Sequence, residues 1–326
     1  MRDLFVEAER FPIAGSFTIS RGSKTEAAVL TCTIKAGDNV GRGECVPYAR
    51  YSETLESVAT AIEAVRPDIA SGITRQQLQD RMPAGAARNA VDCALWDLEA
   101  KLSDVRVSSL LGHPNPMALE TAYTISLAEP EAMAEKAREN RHRPLLKVKV
   151  GTPDDISRIE AVAKEAPGSR IILDANEAWT ADNIRDHMLV AARHRVAVIE
   201  QPLPAGHDEL LARIPHPVPI CADESVHTTD RLKELLGLYD AVNIKLDKTG
   251  GLTEALRLHA RARELGFGVM VGCMVGTSLA MAPAVLLAQD SDFVDLDGPL
   301  LLARDRQPGL TYDGAMVSPP AAALWG

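Results

Sequence analysis

The chain has 326 residues, of which 46% are hydrophobic and 25% charged, with a net charge of −10 and a pI near 5.4. This composition excludes a disordered protein, and an acidic chain without a basic cluster is not expected to bind nucleic acid. The start lacks a signal-like segment and no apolar run reaches membrane-spanning length, so we expect a cytoplasmic protein with no membrane partner.

The first 115 residues predict a small α+β domain, because strand-like alternation comes first and helical periodicity follows. The expected strands and helices are Asp3–Glu9, Ala27–Lys35 and Gly41–Cys45, then Glu53–Ile69, Thr74–Arg81 and Ala86–Lys101.

The chain's cysteines are widely spaced and form no C-x-x-C pair, which indicates reduced core residues. They are Cys32, Cys45, Cys93, Cys221 and Cys273.

Residues 116–300 predict a parallel barrel, because eight short apolar runs alternate with helical stretches. The expected strands are Thr121–Ile125, Leu145–Val150, Ile171–Asp174, Val196–Glu200, Pro219–Asp223, Ala241–Leu246, Gly268–Val271 and Phe293–Asp297. Expected helices include Glu131–Asn140, Ile156–Ala166 and Thr253–Leu265, the last with Gly266 after its C-terminus. No clear helix follows Asp297, and the tail, 301–326, is rich in Pro and Gly. We expect the tail to fold back onto the first domain.

Five of the strands end near a charged residue, and these residues are evenly spaced. Lys149, Asp174, Glu200, Asp223 and Lys245 follow one another at intervals of 22 to 26 residues, the length of one βα unit. Barrel enzymes place their chemistry at the carboxyl ends of the strands. The spacing therefore predicts three carboxylates flanked by two lysines at the mouth of the barrel.

The three carboxylates offer only oxygen ligands, which suits a hard cation such as Mg²⁺ and makes zinc an unlikely choice of metal. We expect one Mg²⁺ per chain, held by Asp174, Glu200 and Asp223. The alternative is that each acidic residue is a helix N-cap that complements the helix dipole.

The lysines support a catalytic interpretation. Lys147 and Lys149 are two residues apart, so both side chains point to one face of their strand, and Lys245 lies four strands later. A lysine becomes a useful base near neutral pH when burial or a neighbouring cation lowers its pKa, and Lys147 and Lys149 are such neighbours. The alternative is that these are surface lysines on amphipathic strands.

Several motifs together resemble those of the enolase superfamily, in its muconate lactonizing enzyme subgroup. They are LLKVKVG, LDANEAW, IEQPLP, CADES and NIKLDKTGG, with AARNAVDCALWDLEAKL around Asp92 and Trp96. The resemblance covers essentially the whole chain. It implies a magnesium enzyme of the α/β class, with an N-terminal α+β capping domain over a modified TIM barrel, (β/α)7β. Enolase-type sites with a lysine base and Mg²⁺ stabilising an enediolate are a known pattern.

A carboxylate substrate with a base on each face permits removal of its α-proton from one side and return from the other. Lys149 and Lys245 on opposite faces predict such a 1,1-proton transfer, that of a racemase or epimerase. Cycloisomerases and dehydratases of the subgroup share these lysines, so the lysines alone leave those reactions open.

The last strand carries a pair of acidic residues suited to a cation. Asp295 and Asp297 in VDLDGP stand two residues apart on one face. The pattern resembles that of the dipeptide epimerases, especially those acting on L-Ala-D/L-Glu of murein peptides, and implies that the pair binds the free α-ammonium of the dipeptide. The alternative is a pair that stabilises the turn before Gly298 and Pro299. GCM at 272–274 also matches, but the acidic residue that many of these epimerases carry soon after it is absent from 274–278.

Substrate selection is expected to come from two loops of the capping domain. Arg21 or Lys24 is predicted to pair with the γ-carboxylate of a glutamyl residue, the alternative being solvated loop charges. Tyr48 and Tyr51 are predicted to form a lid that excludes water, or else to be packing residues. Further predicted substrate contacts are Thr124, Asn176 and Met274.

Other functions remain as alternatives to epimerisation of L-Ala-D/L-Glu. A Schiff-base aldolase would need no magnesium, which disagrees with the three carboxylates. A binding protein without catalysis would be expected to lose Lys149 or Lys245, and both are present. Within the superfamily the alternatives are epimerisation of other dipeptides, racemisation of N-acylamino acids and cycloisomerisation. The oligomeric state does not follow from the sequence.

Overall fold

A computed structural model describes residues 2–151 and 153–326. The capping domain contains a three-stranded antiparallel sheet, β1 (Asp3–Ile19), β2 (Gly22–Ala36) and β3 (Asn39–Cys45). Helices α1 to α5 follow: Leu55–Glu63, Arg66–Ala70, Arg75–Arg81, Ala86–Ser103 and Val107–Leu110. The prediction of a small α+β domain with strands before helices is confirmed.

One predicted helix, Glu53–Ile69, is two helices in the structure. Its first part, α1, begins after Thr54, which forms a capping box with Ser57. The second part, α2, has Pro67 near its N-terminus. Proline has no N–H and its ring clashes with the carbonyl four residues earlier, so a continuous helix through residue 67 is disfavoured. The periodicity was right, but the proline interrupts it.

The barrel is an eight-stranded parallel sheet in the order β5 to β12. Its strands are Tyr123–Ile125, Leu145–Lys149, Arg170–Asp174, Val198–Glu200, Ile220–Ala222, Ala241–Ile244, Gly268–Gly272 and Phe293–Asp295. The α-helices after β5 are α6 to α11: Pro130–Asn140, Asp155–Glu165, Ile184–Arg193, Leu246–Thr249, Leu252–Glu264 and Ser278–Leu287. The first and last strands are tied by Ala122 N, which donates to Val294 O at 2.8 Å.

The predicted barrel and its eight strands are confirmed, with strand ends that differ by up to two residues. Lys245, Asp223 and Asp297 lie just beyond their strands rather than within them. In the connections after β8 and β9, the α-helices of a regular barrel are replaced by 3-10 helices at Glu209–Arg213 and Thr229–Leu235. Further 3-10 helices span Ala49–Tyr51, Ala288–Asp290 and Gly298–Leu301.

The C-terminal segment contacts both parts of the molecule. Strands β13 (Tyr312–Asp313) and β14 (Met316–Val317) pair with β4 (Leu119–Glu120). Beyond them, the buried Trp325 donates from Nε1 to Cys93 O at 3.1 Å, and Gly326 N donates to Asp97 Oδ1 at 2.8 Å. Both acceptors belong to α4, so the end of the chain packs on the long helix of the capping domain.

Two main hydrophobic cores support this arrangement, one inside the capping domain and one between the barrel and its outer helices. None of the helices among residues 2–151 and 153–326 combines the length and the apolarity that crossing a bilayer requires.

Candidate active site

The interior of the barrel has an apolar floor with a charged layer above it. Leu145, Ile172, Val198 and Cys221 pack together at the floor. The residues of the charged layer each follow one of these floor residues by two positions. They are Lys147, Asp174, Glu200 and Asp223. Successive residues of a strand point to opposite faces, so this spacing of two directs the charged side chains into the barrel as well. The intervening Leu146 and Val148 point outward into the helix-facing core, as expected for a parallel sheet covered on both faces.

The strand register aligns the predicted site residues across the barrel. Lys149 is paired in register with Asp174, Asp174 with Glu200, and Glu200 with Cys221, two residues before Asp223. Lys245 follows the next strand, β10. The structure therefore brings together the row of three carboxylates with a lysine at each end, in the order that the sequence predicts.

Lys149 and Lys245 occupy equivalent places at the two ends of this row. Lys149 Nζ donates to Asp174 Oδ2 at 2.6 Å, and Lys245 Nζ donates to Asp223 Oδ2 at 2.7 Å. Each lysine is 6% exposed, and both line a cavity of about 770 Å³ between the barrel mouth and the capping loops. A substrate in this cavity would lie within reach of both ammonium groups.

Lys147 lies deeper than the other two lysines and is 1% exposed. Its Nζ lies 2.7 Å from Asp295 Oδ2, 2.7 Å from Glu200 Oε2 and 3.1 Å from Asp174 Oδ2. It is not among the residues that line the cavity. Lys147 therefore bridges the carboxylate row and the last strand from below.

The electrostatics of these lysines differ from the prediction that a neighbouring cation lowers a lysine pKa. Burial lowers the pKa of Lys147, but Asp295, Glu200 and Asp174 outweigh it and hold the pKa well above the ordinary value. For Lys245, burial is likewise outweighed by Asp223 and Glu200. The expectation of a lowered pKa was wrong for Lys147, because Asp295, Glu200 and Asp174 lie within 3.1 Å of its ammonium group.

The pKa values of the carboxylates are shifted by burial and by the neighbouring charges. Burial and the charge of Asp174 raise the pKa of Glu200 to about 7. Burial also acts on Asp223, but Lys245 and Lys248 hold its pKa well below the ordinary value. Negative charge is therefore concentrated on the two outer carboxylates of the row.

Asp174, Glu200 and Asp223 are the residues that could hold a metal. Among residues 2–151 and 153–326, no three His, Cys, Asp or Glu side chains converge closely enough to enclose an ion. Asp174 and Asp223 are instead paired with the ammonium groups of Lys149 and Lys245. The donor chemistry nevertheless fits a hard cation, since Asp174, Glu200 and Asp223 all offer buried carboxylate oxygens.

Asp295 and Asp297 are both buried beside Lys147 and Thr124. Thr124 N donates to Asp297 Oδ2 at 2.6 Å, while Asp295 Oδ1 has no hydrogen-bond partner among the described residues. Burial and the charge of Asp295 raise the pKa of Asp297 to about 7. None of these four residues is among those that line the cavity. The two carboxylates thus form an anionic pocket with an unused acceptor.

The two candidate readers of a glutamyl side chain have different surroundings. Arg21 donates to Glu224 Oε1 at 2.7 Å, to Asn176 O at 2.8 Å and to Tyr48 OH at 2.9 Å. Lys24 also lines the cavity, with Nζ 5.2 Å from the ring centroid of Tyr48, and burial together with Arg21 lowers its pKa. Arg21 already has anionic partners within the protein, whereas Lys24 faces a ring and the cavity.

The remaining predicted contacts lie around the same cavity. Tyr48 and Tyr51 pack edge to face at 5.4 Å between ring centroids, and Tyr51 packs on His227 at 4.6 Å. Both tyrosines, Asn176 and Met274 line the cavity. Asn176 Oδ1 is buried and has no hydrogen-bond partner in the part of the chain that the structure describes.

Several residues of the site were not singled out from the sequence. Lys248 donates to Asp223 Oδ1 at 2.6 Å, and Asn243 Nδ2 donates to Glu200 Oε1 at 2.8 Å. Both belong to the NIKLDKTGG run, where polar residues two before and three after Lys245 were the available signal. Arg50 and Glu177 form an ion pair between the capping domain and the barrel, and nothing local in the sequence pairs them.

The chain matches two family models. Residues 1–112 match "Mandelate racemase / muconate lactonizing enzyme, N-terminal domain", and residues 131–321 match "Enolase C-terminal domain-like". Among curated proteins it is 45% identical to an L-Ala-D/L-Glu epimerase of Escherichia coli K12, over 96% of this chain and 98% of that protein. It is 47% identical to an N-acetyl-D-glutamate racemase of Pseudoalteromonas, over 88% and 91% of the two chains.

Solved structures show the same likeness. An enolase family member from Agrobacterium tumefaciens, described as homologous to dipeptide epimerases, contains sodium and L-Ala-L-Glu and is 60% identical to this chain, with a TM-score of 0.99 and full coverage of both chains. A dipeptide epimerase from Enterococcus faecalis with Mg and L-Leu-L-Tyr is 28% identical, with a TM-score of 0.91 and coverage of 98% and 96%.

Proposed function

We propose that this chain, which belongs to the mandelate racemase / muconate lactonizing enzyme family of the enolase superfamily, interconverts L-Ala-L-Glu and L-Ala-D-Glu by two-base proton transfer. The observation that carries the proposal is the placement of Lys149 and Lys245 at the two ends of the carboxylate row, both facing one cavity. A base at each end is what inversion of one carbon requires. The chain is accordingly an isomerase that acts on amino acid derivatives, in agreement with its relatives.

The cofactor we propose is Mg²⁺, with Asp174, Glu200 and Asp223 as the residues that would hold it. When bound, it would stabilise the negative charge that the substrate carboxylate gains as the α-proton leaves. Relatives with bound dipeptides contain magnesium or sodium. The three carboxylates are oxygen donors and are almost fully buried, which suits a hard cation.

The chain's own residues supply the proton transfers. With an L-configured glutamyl residue in the cavity, one lysine in its neutral form accepts the α-proton at Nζ. The other, as an ammonium group, donates a proton from Nζ to the opposite face of the same carbon. The reverse reaction exchanges the two roles. Lys147 is buried among Asp174, Glu200 and Asp295, so its role is to balance their charge rather than to exchange protons with the substrate.

Different residues would bind the two charged groups of the dipeptide, the alanyl ammonium and the glutamyl γ-carboxylate. Asp295 and Asp297 would accept hydrogen bonds from the alanyl ammonium, because they form a buried anionic pair with an unused oxygen. Lys24 would pair with the γ-carboxylate of the glutamyl residue, since Arg21 is already engaged by Glu224 and Glu177. Tyr48 and Tyr51 would cover the cavity.

A second candidate function is racemisation of N-acetylglutamate. The observation that favours it is the 47% identity to an N-acetyl-D-glutamate racemase. Both substrates present an N-acylated glutamate, so the same lysines would serve. They differ at the acyl group, where the dipeptide has an ammonium and the acetyl compound has none. Asp295 favours the dipeptide, because among the described residues its buried Oδ1 has no hydrogen-bond donor, and an ammonium group would supply one where an acetyl group would not. We also propose that the protein acts in the cytoplasm.

The test is proton NMR of the purified protein with Mg²⁺ in deuterated water, with L-Ala-L-Glu, L-Ala-L-Leu and N-acetyl-L-glutamate as parallel substrates. We expect loss of the glutamyl α-proton signal and appearance of L-Ala-D-Glu. Removal of the metal with a chelator should stop the reaction, and Mg²⁺ should restore it. Turnover of N-acetylglutamate alone would replace the proposal by its alternative, and absence of exchange from all three would contradict both.

A further inference from the structure

The turn that follows β7 is strained and lies directly beneath the capping loops. Asn176 has φ +44° and Glu177 has φ +70°, so two consecutive residues with side chains adopt the left-handed conformation. Such a conformation persists only where surrounding contacts hold it, and it is common at functional sites. Asn176 N donates to Asp174 Oδ1 at 3.0 Å, which connects the turn to the carboxylate row.

The carboxylate of Glu177 is the point where the two domains meet over the cavity. Arg50 donates to it twice, from Nε and Nη2, both at 2.8 Å. Arg21 Nη1 donates to the same carboxylate at 3.1 Å, and Ala205 N donates at 2.9 Å. The Glu177 side chain is 9% exposed. Hydrogen bonds between ionised partners, one of them bidentate, are the strong ones in proteins.

The two arginines belong to the two separate loops that roof the cavity. Arg50 lies in the 3-10 turn Ala49–Tyr51, between the lid residues Tyr48 and Tyr51. Arg21 lies in the turn between β1 and β2 and also donates to Tyr48 OH. One barrel carboxylate therefore holds both loops, although they lie 29 residues apart in the chain.

We propose that Glu177 is a positioning residue that clamps both capping loops over the cavity, with Arg50 as its principal partner. The clamp keeps Tyr48 and Tyr51 in their closed positions before any substrate arrives. Its effect on turnover rests on the proposed function, but its effect on the loops does not. The pair does not touch the reacting atoms, so its loss changes how often the cavity is closed rather than the chemistry of the lysines.

The experiment is hydrogen exchange by mass spectrometry on the ligand-free full chain. The reporters are the amides of Tyr51 and Ser52, which donate within the turn to Tyr48 O and Ala49 O. In Glu177→Gln and in Arg50→Ala, exchange of these amides should accelerate about tenfold or more, the effect of losing charge-assisted hydrogen bonds. Arg50→Lys, which keeps the charge but not the bidentate fork, should lie between these variants and the unmodified chain.

The matched control is Glu234→Gln, which removes the charge from an exposed Arg–Glu pair in which Arg231 donates twice, from Nε and Nη2, to Glu234 Oε2. It should leave exchange at Tyr51 and Ser52 unchanged. In steady-state kinetics with L-Ala-L-Glu, Glu177→Gln and Arg50→Ala should raise KM about tenfold with kcat within about twofold, because fewer molecules are closed.

Exchange at Tyr51 and Ser52 that is equal in the clamp variants and in Glu234→Gln would overturn the proposal. So would acceleration in Arg50→Ala that extends equally to the core strands of the barrel, since Arg50 would then support folding in general. A fall in kcat with unchanged KM would refute a positioning role. If the unmodified protein fails to epimerise any substrate, the proposed function fails by itself, and the ligand-free exchange experiment still decides the clamp.

Discussion

At the scale of single residues, the partners of each charge decide what it can do. Lys149, Lys245 and the three carboxylates were identified from their spacing, because strand period and βα length are local properties. Their ion pairs were not identified, and the pKa of Lys147, although burial lowers it, is raised overall by Asp295 and Glu200 instead of being lowered by its neighbour Lys149. The carboxylate nearest to an ammonium group belongs to a neighbouring strand. The sequence of one strand does not show which strand is its neighbour.

Replacement of Lys149 or Lys245 should restrict exchange of the substrate α-proton to one of the two epimers. In Lys149→Ala we expect epimerisation to fall by about 10²-fold or more, the usual contribution of a general acid or base. Exchange of the α-proton with deuterium should persist from one epimer only, through Lys245. Proton NMR with L-Ala-L-Glu and L-Ala-D-Glu in separate tubes measures it, and Lys245→Ala should retain exchange from the other epimer. Full epimerisation by Lys149→Ala would contradict the two-base assignment.

The acidic pair on the last strand predicts a pH dependence of substrate binding. The pKa of Asp297 is raised to about 7, first by burial and then by Asp295. Its carboxylate gains charge as the pH rises through this value, so KM for L-Ala-L-Glu should fall between about pH 6 and 8. Asp297→Asn should raise KM about tenfold or more, and the KM of the variant should no longer fall between about pH 6 and 8. An unchanged KM would indicate that the ammonium lies elsewhere.

At the scale of elements, the capping domain depends on a close approach between a strand and a helix. A Cβ placed on Gly43 of β3 would lie 2.2 Å from Ala90 O and 2.8 Å from Ala94 N, both in the backbone of α4. Gly41 faces the same helix equally closely. The sequence predicted both elements, but not their contact, because glycine alone does not say which backbone approaches it.

Gly43→Ala should therefore destabilise the protein more than an exposed substitution of the same kind. We expect a loss of about 2 to 3 kcal/mol in the free energy of unfolding, typical of overpacking against rigid backbone. The control is Gly168→Ala, where the added Cβ meets no atom within 4 Å. That variant should change the free energy by less than about 1 kcal/mol. Urea unfolding of both variants measures the difference, and equal stabilities would show that α4 can move away.

At the scale of the whole molecule, the tail connects the capping domain to the barrel through Arg306. Its guanidinium donates to Glu9 at 2.7 Å, to Glu44 at 2.9 Å and to Thr277 at 3.2 Å. These partners lie on β1, on β3 and in the loop after β11. Glu44 is almost fully buried, and burial raises its pKa although Arg306 and Thr277 oppose the shift.

Arg306→Ala should cost about 3 to 5 kcal/mol in the free energy of unfolding at neutral pH, because it leaves the Glu44 carboxylate buried without a cation. A folded-state pKa above the unfolded one gives stability that is present at low pH and lost as the pH rises through the folded value. The deficit of the variant should therefore shrink in acid, where Glu44 is protonated. Thermal and urea unfolding across pH 4 to 8 measure it.

Two further variants test the cause of that loss. Glu44→Gln added to Arg306→Ala should recover part of the stability, because it removes the unpaired charge but keeps an acceptor for Thr277 N. Arg304→Ala, two residues away at an exposed position, is the control and should stay within about 0.5 kcal/mol of the unmodified protein. A deficit that is independent of pH would assign the loss to packing of the arginine stem instead.

The sequence by itself determined the succession of elements, the barrel and the residues at its mouth, because hydrophobic period, loop length and charged strand ends are local features of the chain. It also indicated the family through its motifs. Only the tertiary structure decided which ammonium pairs with which carboxylate, that Arg21 is engaged while Lys24 faces the cavity, and that Arg50 meets Glu177 across two domains. These contacts join residues of different elements, from 22 positions apart for Lys245 and Asp223 to 203 for Arg21 and Glu224. Their strength depends on burial, which exists only after the chain has folded.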